Sequence, residues 1–146
     1  MTDRPIALAS DHAGFALKEE LKAELESMGY AVLDLGAYDE GSVDYPDFGK
    51  AMAEAIETGK AERGVLVCGS GIGISIAANR STKVRAALCH DETTARLSRQ
   101  HNDANVLALG ARIIGGEVAK DCLKTFLQTE FEGGRHSRRV EKLGSR

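Results

Sequence analysis

Cys68 ends an aliphatic run, Val65, Leu66 and Val67, and Gly69, Gly71 and Gly73 follow it directly. Glycines just after a strand let the backbone approach a ligand closely, and a helix that begins there presents unpaired N–H groups to an anion. A helix N-terminus favours negative charge by up to about 2 kcal/mol, and a thiol reacts through its thiolate. The stretch reads as an anion-binding loop that carries a candidate nucleophile or general base. The alternative reading of Cys68 is a small buried hydrophobe, which is how Cys89 and Cys122 are read.

Several known chemistries use such a loop. A Walker A loop needs Gly-Lys-Ser/Thr, and the chain has no such triplet. The dinucleotide pattern GxGxxG fits at Gly69 and Gly71 but meets Ile74 at its third glycine, and only Asp91 stands near the place of the ribose-binding acid. A cysteine phosphatase loop would carry an arginine where Ile74 stands. His12, His90, His101 and His136 show neither HExxH nor Cys/His spacing, so no metal is expected.

The elements that must position these groups alternate. Short aliphatic runs at 6–10, 30–36, 64–68, 84–89 and 105–110 predict strands. Segments of helical period predict helices at 15–28, from Pro46 to Gly59, over 72–80 and from Asp91 onward. Val118, Cys122, Phe126 and Leu127 predict a helix with that face on the core, and a last helix is expected over 135–143. Strand–helix alternation predicts an α/β fold: a three-layer α/β/α, Rossmann-like sandwich on a five-stranded parallel sheet, with a C-terminal helical extension. In such a sheet all strands point one way and ligands bind beyond their C-terminal ends. There the sequence places Ser10, Asp11 and His12; Cys68, Gly69 and Ser70; Cys89, His90 and Asp91; and Gly110, Ala111 and Arg112. Asp11 also has the type and place to cap the first helix.

Residues 1–146 are expected to form one domain, which at this size buries roughly 70% of the surface its unfolded chain exposes. Three cysteines, with no CxxC, point to a reducing, cytoplasmic setting. The first residues lack a secretory pattern, and the most apolar run, 64–78, falls short of the ~20 residues of a membrane span. Net charge is −3, but residues 133–146 carry +4, leaving −7 on the rest. Arg135 and Arg139, four apart, share one helix face; by charge alone the tail reads as a solvated basic end.

Five separated segments, "SDHAGFALKEEL" (10–21), "DYPDF" (44–48), "CGSGIGISIAANR" (68–80), "LSRQHNDANVLALGAR" (97–112) and "EGGRHSRRVEKL" (132–143), resemble the type B ribose-5-phosphate isomerases in the same order. That family also contains allose- and galactose-6-phosphate isomerases. The resemblance runs nearly end to end. It implies cofactor-free aldose–ketose isomerisation, as between ribose 5-phosphate and ribulose 5-phosphate, by ring opening and then proton transfer through an enediolate. Such a route needs an acid and base, and donors oriented beforehand toward the developing oxyanion.

By the same resemblance Cys68 moves the proton between carbons, and the backbone of Gly69, Ser70, Gly71, Ile72 and Gly73 forms the anion hole. The Ser70 hydroxyl would relay a proton between sugar oxygens. Ile74 stands where some relatives carry a glutamate base, which leaves Cys68 without a competitor. His101 matches the ring-opening residue, although by itself it reads as an exposed helix-end histidine, and Asn102 beside it holds substrate. Asp11 and His12 match sugar-contacting residues, and Tyr45 lines the pocket. Arg112, Arg135 and Arg139 match phosphate-binding positions, bidentate arginine suiting that group, and His136 stands with them. The pocket is implied to be shared between subunits, hence a homodimer or dimer of dimers. Isomerisation of another phosphosugar, such as a hexose 6-phosphate or a tetrose phosphate, fits the same positions. A nucleotide- or nucleic-acid-binding module is the non-enzymatic alternative; the acidic chain and the absence of Trp speak against it.

Overall fold

The computed structural model describes residues 4–145. The elements run β1 (Ile6–Ser10), α1 (Phe15–Ser27), β2 (Val32–Asp34), α2 (Tyr45–Glu57), β3 (Arg63–Cys68), α3 (Ile72–Ala78), β4 (Ala86–Leu88), α4 (Glu92–Asn102), β5 (Val106–Gly110), α5 (Gly116–Gln128) and α6 (Arg135–Leu143). The five strands form one parallel sheet in the order β2-β1-β3-β5-β4.

The central strands β1, β3 and β5 are covered on both faces, which explains their uninterrupted aliphatic sequences. One face packs Ile6, Leu8, Val65 and Leu107 against α1, α4 and α5, with Cys89 and Cys122 as buried members of that core. The other packs Ala7, Ala9, Leu66 and Ala108 against α2 and α3. This is the layered α/β architecture expected from the alternation.

The edge strands are shorter than the predicted 30–36 and 84–89, because each has a ladder partner on one side only. Asn79 covers part of the β4 edge: its amide donates to the Ala86 carbonyl at 3.0 Å and accepts the Ala86 N–H at 2.8 Å. With Asn79 serving as the C-cap, α3 stops at Ala78 rather than at residue 80. Val118 corrects the expected core face of α5. It is 39% exposed, and the helical period instead starts at Ala119 and continues through Cys122, Leu123, Phe126 and Leu127. The α6 bounds match the predicted 135–143, and His136 is its buried residue.

The chain runs from β1 outward to β2 and then crosses to β3 on the other side. The β1/β3 boundary is therefore a topological switch point, the place where open α/β sheets leave a crevice. Among the described residues no helix is long and apolar enough to cross a membrane.

Candidate active site

Asp11 and Cys68 meet at that switch point. The main chain of Asp11 donates to the Val67 carbonyl at 3.2 Å, and its carboxylate accepts the Gly14 N–H at 3.0 Å, so Asp11 does fasten the entry to α1. A cleft of 540 Å³ opens above them, walled by Cys68, the glycine loop, Tyr45 and Arg112.

Cys68 is 4% exposed. The Gly71 N–H donates to its Sγ at 3.1 Å, so a main-chain donor faces the sulfur. This contact depends on Gly71 having φ +79, a left-handed conformation. A Cβ there would sit 2.6 Å from Leu88 Cδ1 and 2.8 Å from the Leu109 carbonyl carbon. Ser70 Oγ accepts the Ile72 N–H at 3.1 Å and so fixes the first turn of α3. The Tyr45 ring lies over Gly73, leaving no room for a side chain there, and the Arg112 guanidinium lies over Gly69. Arg112 is anchored through its main-chain N–H, which donates to the Gly69 carbonyl at 2.9 Å. His12 Nδ1 accepts the Val43 N–H at 3.2 Å. That bond ties the β2–α2 loop to the cleft and leaves the proton of the neutral ring on Nε2.

The remaining expected site residues lie elsewhere in the chain. His101 and Asn102 end α4; with His136 and Arg139 of α6 they border a separate cleft of 250 Å³. The His101 and His136 rings stack at 4.6 Å and 15°. Burial first, then His101 and Arg135, pushes the His136 imidazole below its ordinary value. Arg135 and Arg138 are exposed on the same helix. His90 is exposed beside the α4 cap, its N–H donating to Thr94. Because α4 runs back against the strands, His101 lies near the start of β5, whose far end, Gly110, pairs with Cys68. Four strand steps separate those ends, about 13 Å at 3.3 Å per residue, whereas proton transfer needs contact near 3 Å. Within one chain the two groups thus stand toward opposite ends of β5.

Two supporting residues were missed from the sequence. Lys18 is fully buried, and its Nζ reaches Asp34 Oδ1 at 2.8 Å and Oδ2 at 2.9 Å. Asp34 also accepts the Gly36 N–H at 3.0 Å, holding the start of the loop that reaches His12. A lysine inside the Leu17–Leu21–Leu25 stripe was the available signal.

The Ribose/Galactose Isomerase family model matches residues 6–143, nearly the whole chain. The chain belongs to the ribose/galactose isomerase family. Within that family it is 45% identical over 140 residues to the ribose-5-phosphate isomerase B of Escherichia coli K12, covering 96% of this chain and 94% of the relative. It is 44% identical over 141 residues to a D-erythrulose-4-phosphate isomerase of Pectobacterium atrosepticum, covering 95% and 92%. The solved ribose-5-phosphate isomerase B of Clostridium thermocellum superposes with a TM-score of 0.95 at 51% identity, covering 96% and 95%. As a ribose/galactose isomerase the chain is an aldose–ketose isomerase of sugar phosphates, on a fold that matches the family's solved structures.

Proposed function

We propose that this isomerase interconverts ribose 5-phosphate and ribulose 5-phosphate without a cofactor, with Cys68 as the base that carries the proton between C2 and C1. The observation that carries this reading is the Gly71 N–H directed at Cys68 Sγ on the wall of the cleft. The thiolate removes the C2 proton of the open-chain aldose, leaving an enediolate. The same sulfur returns the proton to C1, while the Ser70 hydroxyl passes a proton between O1 and O2. Main-chain N–H groups of the 69–73 loop take up the oxyanion charge, which costs no reorganisation because the loop is already folded. Asp11 and His12 hold sugar hydroxyls, and Tyr45 closes one wall.

His101 opens the sugar ring, with Asn102 beside it, and Arg135, His136 and Arg139 join Arg112 on the phosphate. Since the α4–α6 cluster lies at the opposite end of its own sheet, a second copy must deliver it, so the active unit is a homodimer or a pair of dimers. Around the cleft Ile72, Ile76 and Ile113 are each more than half exposed, an apolar rim suited to a partner chain. Three buried free cysteines accord with work in a reducing cytoplasm, as one domain with neither nucleic acid nor membrane as partner.

A second substrate is favoured by one observation, the Pectobacterium relative that acts on D-erythrulose 4-phosphate. The test is turnover of ribose 5-phosphate, allose 6-phosphate, galactose 6-phosphate and erythrose 4-phosphate, each with Cys68→Ala alongside. Fastest turnover of ribose 5-phosphate, lost in the variant, is expected. A faster tetrose phosphate reassigns the substrate, and an active Cys68→Ala removes the thiol from the mechanism.

A further inference from the structure

Glu132 has no part in the isomerisation described above, yet the fold brings it against two histidines. Its main-chain N–H donates to the Gln100 carbonyl at 3.1 Å, fastening this stretch to the last turn of α4. Gly133 and Gly134, at φ +68 and +56, then turn the chain into α6. The turn sets Glu132 Oε1 3.8 Å from His136 Nε2, with His136 stacked on His101. One donor atom from each of His101, Glu132 and His136 lies within 4.8 Å of the others.

We propose that His101, Glu132 and His136 form a binding site for a borderline divalent transition metal, Zn²⁺ above all, and that occupancy withdraws His101 from ring opening. Two imidazoles and one carboxylate make a donor set that suits zinc, whereas calcium and magnesium take oxygen ligands. Zinc–ligand bonds of about 2.0–2.1 Å put tetrahedral ligand atoms roughly 3.4 Å apart. Glu132, about half exposed, and a swing of the stacked rings out of parallel close that gap, and the open 250 Å³ cleft admits the ion. Water fills the fourth position. Arg135 and Arg139, on the helix that carries His136, repel a dication, so binding is weaker than at a structural zinc site and reversible by chelators.

The site stands on the geometry alone; its effect on turnover rests on the ring-opening role proposed for His101. The test uses the full chain freed of metal, with Co²⁺ as a visible probe and Glu132→Ala beside wild type. Glu132→Gln serves as a second variant should the alanine form fold poorly. Expected are one Co²⁺ per chain with a tetrahedral absorption band and at least about tenfold weaker binding in the variant, whose metal-free turnover is unchanged. Zn²⁺ should suppress wild-type turnover of ring-form ribose 5-phosphate and need at least about tenfold more metal in the variant. No band, or a band unaffected by Glu132→Ala, overturns the site. Zinc suppression equal in both proteins places the inhibitory metal elsewhere and overturns the proposed effect. Cobalt binding that depends on Glu132 while zinc leaves turnover intact supports the site and overturns only the part of His101 in ring opening.

Discussion

Each half of the proposed chemistry belongs to one side chain, which makes the two separable by substitution. Cys68→Ala removes the atom that carries the proton, so turnover of ring-form and open-chain substrates should both fall by at least about 10²-fold, the usual minimum for a general base. The check is a coupled assay on both, with circular dichroism to show that the fold is kept. His101→Asn should slow a substrate that must first open its ring and spare an open-chain sugar phosphate. Equal loss on both would end that division of labour. Cys68 could be singled out from the sequence because a thiol at a strand end before three glycines is an uncommon pattern. Glu132 could not, because its meaning comes from a histidine four residues on and another 31 residues back.

At the scale of the element, the α3 entry and the β2 exit set the cleft. Gly71→Ala places a Cβ in a left-handed residue against the Leu109 main chain, and should cost more than about 1 kcal/mol of stability while turning the N–H away from Cys68. Urea unfolding alongside turnover measures both effects. Asp34 is held by Lys18 at the other end. Burial works to raise its carboxyl, but hydrogen bonds from Lys18, Gly36 and Lys22 outweigh this and keep it below the ordinary carboxylate value. A carboxylate with a lowered folded value contributes stability at neutral pH, and that contribution is lost as pH falls from about the unfolded value of 3.8 through the folded one. Asp34→Asn leaves the buried Lys18 charge only the partly exposed Glu19 carboxylate at 3.0 Å and should cost about 3 kcal/mol at pH 7. It should also flatten the acid limb of a stability–pH curve; an unchanged limb would show that other carboxylates dominate it.

At the scale of the molecule, the proposed shared site makes two variants, each impaired on ring-form substrates, complementary. In a mixed dimer of Cys68→Ala and His101→Asn, one site collects both substitutions and the other collects none. Random reassembly of equal amounts should recover about a quarter of wild-type activity on a ring-form substrate, as follows from two-fold symmetry. Mixtures that stay as inactive as their components would mean that both groups act within one chain, against the separation of the two clefts.

The sequence by itself determined the layered α/β class, the direction of the strands and the bounds of most elements. Fully buried parallel strands must be aliphatic throughout, and amphipathic helices must repeat their apolar residues every three to four positions. It also singled out the glycine loop and the thiol, since local spacing alone makes those patterns, whereas the arginine pair on α6 took its meaning from the family resemblance. Strand order was not legible, because β4 could join either side of β5 with the same local sequence. The short edge strands and the outward-facing Val118 depend on which neighbour lies alongside. Only the tertiary structure put Lys18 under the loop, separated His101 from Cys68 by the length of a strand, and closed Glu132 onto two histidines. Contacts between residues far apart in the chain depend on where its crossovers return it, and no local pattern of side chains specifies that.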